Sequence, residues 1–279
     1  MMRLSKASLL LPFVLGSVCA TACGAVWFVD ADSAAIAPNG KSWAGAFREI
    51  QPAIDAAVED GGGEVWVAAD VYGERRDNET GSLVLRPGVH CYGGFAGTEA
   101  NRDARDWEAH TTIIDGAEAL EGHAAYHVVL GADNATLDGF TITGGHATGD
   151  GEVSGDQFGA GMLNDGTAPL VLHCVFEGNR SFDAGGGMLN LTAAPEIREC
   201  TFVGNSARIG GGVLNYRGAP LFSNCYFLDN TATEGGGGIQ NTEAETLVTN
   251  CVFVGNQADG GGALQNGFAS LATVINCTF

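Results

Sequence analysis

Lysine is almost missing from this chain, which carries only Lys6 and Lys41, and the thirteen basic residues stand against thirty-three acidic ones for a formal net charge of −20. No basic patch is therefore available to neutralise phosphates, which argues against nucleic acid and anionic membranes as partners. The acidic excess serves solvation first, and would also attract Ca2+. The 43 glycines lack the Gly-X-Y period of collagen, so they read as turn and close-packing positions. Disorder is excluded as well, because 45% hydrophobic residues suffice for a core. Long apolar runs are scarce: the segment from Leu9 to Val18 is short for a membrane span, and no later stretch replaces it.

That early run has the layout of an export signal. Arg3 and Lys6 precede it, and small residues including Ala20, Thr21 and Ala22 follow, which predicts a signal peptide over residues 1–22 and a secreted or surface-attached mature chain. Cleavage after Ala22 would expose Cys23 to lipidation, although Ala20 stands where a lipobox carries a larger aliphatic residue.

The remainder is organised by repetition. Cys174, Cys200, Cys225, Cys251 and Cys277 recur at spacings of 26, 25, 26 and 26 residues, each opening a Cys-x-Phe unit. Phe176, Phe202, Phe227 and Phe253 are each followed three residues later by Asn. A second series, Asn164, Asn190, Asn215, Asn241 and Asn266, closes glycine-rich segments in the same phase. Three residues before each cysteine is an apolar side chain, Val171, Ile197, Phe222, Val248 or Val274. Strand alternation cannot place both this residue and the cysteine on one face, so a corner must intervene at His173, Glu199, Asn224, Asn250 and Asn276.

Short strands repeating every 25 or 26 residues, each unable to bury its own face, predict stacked coils about 4.8 Å apart. The fold class is all-β: a right-handed parallel β-helix with columns of cysteine, phenylalanine and asparagine. An earlier coil, with Leu137, Phe140, Ile142 and Ala147, fits without the cysteine. Between it and the next coil an acidic insertion, residues 148–157, is expected to protrude. Upstream, Glu49 to Val58 has helical periodicity and ends at Gly61-Gly62-Gly63, while Glu64 to Ala68 reads as a strand. The helix is expected to cap the first coil. The organisation is thus a signal peptide at 1–22, a cap with the first strands at 23–110, and coils at 111–279. Ending midway through a coil implies that the repeat continues past Phe279.

The segments CTFVGNSARIGGGVLN and CVFVGNQADGGGALQN resemble repeats of chlamydial polymorphic outer-membrane proteins. WFVDADSA, EVWVAADVY, CYGGFAGTE and RDWEAHTTIIDG resemble exported bacterial proteins of the pectin-lyase-like β-helix superfamily. These resemblances imply fold and export; the superfamily hosts lyases and hydrolases as well as adhesins and passive stalks, so they do not choose a chemistry.

Candidate sites are few. The cysteine column reads as buried free thiols, because stacked parallel neighbours point alike, and Cys91 has no assignable partner. No catalytic set is assigned. Arg180 with Asp183 and Arg198 with Glu199 are the nearest approach to a lyase arrangement, but neither extends across coils. Val175, Thr201, Tyr226, Val252 and Thr278, with Glu177, Val203, Leu228 and Val254, form a mainly apolar outward strip, either an interaction surface or a face beneath turns. Asp150, Glu152 and Asp156 are the candidate ligand or Ca2+ residues, although a solvated insertion explains them without any ion. His123 and His127 lie outside any HExxH motif and read as structural. The function expected is adhesion or envelope interaction with a polysaccharide or cell-surface partner; the alternative is a polysaccharide lyase or glycoside hydrolase.

Overall fold

The computed structural model of the chain describes residues 24–73, 75–148 and 156–279. The signal segment, Cys23, Asp150 and Glu152 lie outside the described residues. The rest winds into parallel coils that build four sheets, all with parallel pairings. One coil shows the plan. Met188–Leu191, Glu196–Arg198, Thr201–Val203 and Ser206–Ile209 each pair with their counterparts in the next coil, Val213–Tyr216, Leu221–Ser223, Tyr226–Leu228 and Thr231–Gly235.

Each bend is taken at a left-handed residue. In this coil they are Thr192, Glu199, Gly204 and Gly210, with φ of 50°, 52°, 63° and 64°. The polar residue before each cysteine occupies this conformation throughout, with φ of 46° at His173, 55° at Asn224, 53° at Asn250 and 52° at Asn276. The parity argument for a corner is thereby met. Val171, Ile197, Phe222 and Val248 point inward together with Cys174, Cys200, Cys225 and Cys251 and the four repeat phenylalanines.

Stacking turns the repeated residues into continuous columns. Phe176, Phe202, Phe227, Phe253 and Phe279 stack with centroid separations of 4.8, 5.0, 4.7 and 5.1 Å and nearly parallel planes. Inside the sheet that holds Met188–Leu191 and Val213–Tyr216, Asn164 Nδ2 donates to Asn190 Oδ1, and the pattern continues through Asn215 and Asn241 to Asn266 at 2.8–2.9 Å. A second ladder runs through Asn179, Asn205, Asn230 and Asn256, each of the last three also donating to a phenylalanine carbonyl. Along their buried stretch these amides satisfy one another out of reach of water, except that Asn164 Oδ1 at the head of the first ladder has no hydrogen-bond partner. The glycine triplets fit a different need: a Cβ on Gly212 would stand 2.5 Å from the carbonyl oxygen of Gly238 in the next coil. The coils approach too closely there for any side chain.

The N-terminal end of the described coils is closed by the one α-helix among the described residues, Ile50–Glu59, one residue displaced from the expected span. Its buried residues Ile50, Ala53, Ile54 and Ala57 join Val29, Val65, Leu83 and Val89 in the core. The nine-stranded sheet already includes Ala25–Val29, Gly63–Ala68 and Val89–Phe95, so the winding begins well before the cysteine repeats. Among the described residues no helix is long and apolar enough to cross a membrane.

Candidate functional site

Cys91 and the repeat cysteines are free thiols, all buried except the half-buried Cys277. Burial pushes the Cys91 thiol up to about 12 and shifts Cys200 and Cys225 in the same direction, away from the thiolate that nucleophilic chemistry requires; the hydrogen bond with Cys225 shifts Cys251 the other way. Among the described residues no three metal-ligating side chains converge. His127 is buried, its Nδ1 3.1 Å from the carbonyl of Gly159, and burial holds its pKa below the ordinary value. Asp156 is itself buried, at 4% exposure, unlike the protruding position expected of the insertion.

The anticipated pairings are rearranged by the register. Asp183 engages Arg208, which also holds Glu234; Arg180 is elsewhere. Arg198 pairs with Glu196 on its own strand, because side chains two apart share a face, whereas Glu199 at the corner faces His173. The strip beside the phenylalanine column points outward as expected, with Tyr226 and Val254 about half exposed.

Two outer-surface sites emerge. The first is made by residues 96–111, which strap across the nine-stranded sheet. Arg105 donates to Asp138 Oδ2 at 2.6 Å and to the carbonyls of Gly93 and Asp138, with both charged side chains less than a tenth exposed. His173 Nδ1 lies 2.8 Å from the other oxygen of Asp138, and its Nε2 lies 3.5 Å from Glu199. The Asp138 hydrogen bond raises the His173 pKa above its ordinary value. Trp107 stacks on the imidazole at 4.2 Å, and Arg102 bridges Glu64 and the Tyr92 hydroxyl. Every charge here has a partner, so the cluster clamps the strap. Chemically it could offer one imidazole oriented by a carboxylate, as in acid–base sites. Arg105 and Trp107 were visible only within a resemblance segment and Arg102 in none; the signal missed was a cation-rich, aromatic loop facing an outward Asp138.

The second site is a groove of about 390 Å³ on the outer face of the four-stranded sheet. Strand alternation buries Ala147, Ser181, Ala207 and Ala232 and turns their neighbours outward. One outward row runs His146, Arg180, Ser206 and Thr231 in direct register. The row two residues further on contributes Thr148, Phe182, Arg208 and Thr233 to the same groove. Phe182 is 67% exposed. Neither row is apparent from the repeat alignment, because this strand lacks the conserved Cys, Phe and Asn landmarks of its neighbours in each coil.

Comparison with known proteins agrees with the winding. No curated protein matches the chain. Among solved structures, a candidate glycosyl hydrolase from Parabacteroides merdae is similar over 82% of this chain and 86% of that chain, at 12% identity and a TM-score of 0.33. A pectin methylesterase from Aspergillus niger is similar over 91% and 76%, respectively, at 12% identity and a TM-score of 0.39. A family model described as a right handed beta helix region matches residues 109–279, more than half the sequence, and the chain belongs to that family.

Proposed function

We propose that this chain is an exported β-helix, secreted or held at the cell surface, that binds a polysaccharide or cell-surface partner without turning it over. The observation that carries this reading is the commitment of four carboxylates at or beside the two outer-surface sites. Asp138 is tied to Arg105 and His173, Asp183 and Glu234 to Arg208, and Glu64 to Arg102. Glycoside hydrolysis asks instead for an opposed pair, one carboxyl free to donate a proton and the other to attack or activate water. The in-register rows, by contrast, line up contact side chains from successive coils along the axis, which suits an extended partner. The resemblance of the repeats to polymorphic outer-membrane proteins and the signal-like N-terminus support an envelope setting.

The experiment is retention of the purified protein on a panel of insoluble polysaccharides and on bacterial envelopes, with product release followed in parallel. Retention without chain shortening, unchanged by EDTA, is expected. Catalytic release of shortened or unsaturated products would overturn the reading. One observation favours that second reading, a lyase or hydrolase: the orientation of His173 by Asp138. It predicts turnover lost in His173→Asn.

A further inference from the structure

Arg180 stands beside His146 in direct register on the outer face of the four-stranded sheet. The two side chains therefore present adjacent N–H donors on one face of the sheet. In a chain of net charge −20, carboxylates claim Lys41, Arg102, Arg105, Arg198, Arg208 and Arg217. Arg180, like Arg48 and Arg86, has no carboxylate within ion-pair distance among the described residues, and of these three it is Arg180 that lines this groove. Its forked donors face the groove together with the adjacent imidazole, an arrangement that takes an anion in bidentate fashion.

The rest of the groove narrows the class of anion. Phe182, two-thirds exposed, offers a bare aromatic face next to Arg180 and His146, suited to the C–H face of a sugar ring. Ser206 and Thr231 continue the Arg180 row with hydroxyls, about 4.8 Å apart from coil to coil. They can donate to and accept from a polyol. A simple inorganic anion would leave the ring unused, and a purely apolar ligand would leave Arg180 unpaired.

We infer that this groove binds an anionic saccharide, with one sugar ring against Phe182 and its carboxylate or phosphate ester held by Arg180 and His146. The inference rests on the binding role proposed above and assigns it a place and a ligand class. The site lies away from the strap and its Asp138–His173 pair.

The test uses the full chain and isothermal titration calorimetry with three oligosaccharide probes of equal length: glucuronate units, sugars carrying phosphate monoesters, and neutral glucose units. At least one anionic probe is expected to bind about ten-fold or more tightly than the neutral one, and the tighter of the two identifies the anionic group. Arg180→Ala should lose about ten-fold or more, Arg180→Lys less, and Phe182→Ala should weaken the same probe; Arg217→Ala should leave it unchanged. Because Arg180 and Phe182 are exposed, the melting curves of these variants should overlay the wild type. Equal binding of neutral and anionic probes, no binding of either anionic probe, or wild-type affinity in Arg180→Ala would overturn the inference. Retention on envelopes that survives Arg180→Ala with Phe182→Ala would refute the groove alone. Degradation of a probe would refute the non-catalytic reading and leave the groove standing.

Discussion

Phe227 lies between Phe202 and Phe253, with ring centroids 5.0 and 4.7 Å away, and Phe222 approaches it edge-on at 5.9 Å. It has no exposure. Phe227→Ala leaves a cavity that flanking coils, fixed by their own ladders, cannot readily fill, and should cost about 3–5 kcal/mol in urea unfolding. An unaltered midpoint would contradict its place in the column. Asn215 sits in an equally closed position for a polar reason. Replacing it with Ala deprives Asn190 Nδ2 of its acceptor, whereas Asn241 Oδ1 keeps the hydroxyl of Thr246. The expected loss is on the order of 1–3 kcal/mol for the orphaned donor. Calorimetric melting should show Asn215→Ala clearly destabilised, and a melting temperature equal to wild type would mean that the ladder contributes nothing. Both columns were legible in the sequence, since identical residues at a fixed period can only stack. The corners at Thr192, Arg217 and Glu243, with φ of 50–52°, were not, because none of these residue types signals the left-handed region.

At the scale of the element, the strap of residues 96–111 depends on two contacts with the coils: the buried Arg105–Asp138 pair and the Trp107–His173 stack. Removing one member of a buried ion pair strands the other, so Asp138→Ala should destabilise by about 3–5 kcal/mol, read from the unfolding midpoint. The same carboxylate makes the strap sensitive to pH. The folded-state pKa of His173 is raised by its Asp138 hydrogen bond. The contribution of the charged imidazole is therefore fully present below the ordinary value of 6.5 and is lost as pH rises through the raised one. Amide exchange over 96–111 should accelerate from about pH 6 to about pH 9 beyond its intrinsic chemical dependence, and His173→Asn, which tolerates the left-handed corner, should remove that excess. Corrected exchange that stays flat in the wild type would show that the imidazole does not hold the strap. The helix Ile50–Glu59 could be read from apolar spacing and its glycine stop. The strap could not, because Asp138 and His173 lie 33 and 66 residues from Arg105 and Trp107 in the sequence, and no local pattern encodes which outward side chains an irregular loop will meet.

Over the whole molecule, each coil buries a face that it could not bury alone, and the surface inherits the register of the interior. That is why the fold was readable from period and parity, while the sites were not. The repeat specifies inward residues, which are constrained to recur; function on a solenoid resides in outward residues, which are free to differ from coil to coil. His146, Arg180, Phe182 and Ser206 share no identity along the sequence and become one surface only through stacking. The anticipated Arg180–Asp183 arrangement shows the limit of reading neighbours from the chain, since the coil above supplies Asp183 with Arg208 instead.

The central claim is that this stacked surface binds an extended partner without cleaving it. The direct measurement follows one purified preparation on one polysaccharide through both retention on the polymer and the polymer's size distribution over time. Retention with an unchanged size distribution is predicted, with retention reduced in Arg180→Ala. Progressive shortening of the polymer, abolished by His173→Asn, would contradict the account.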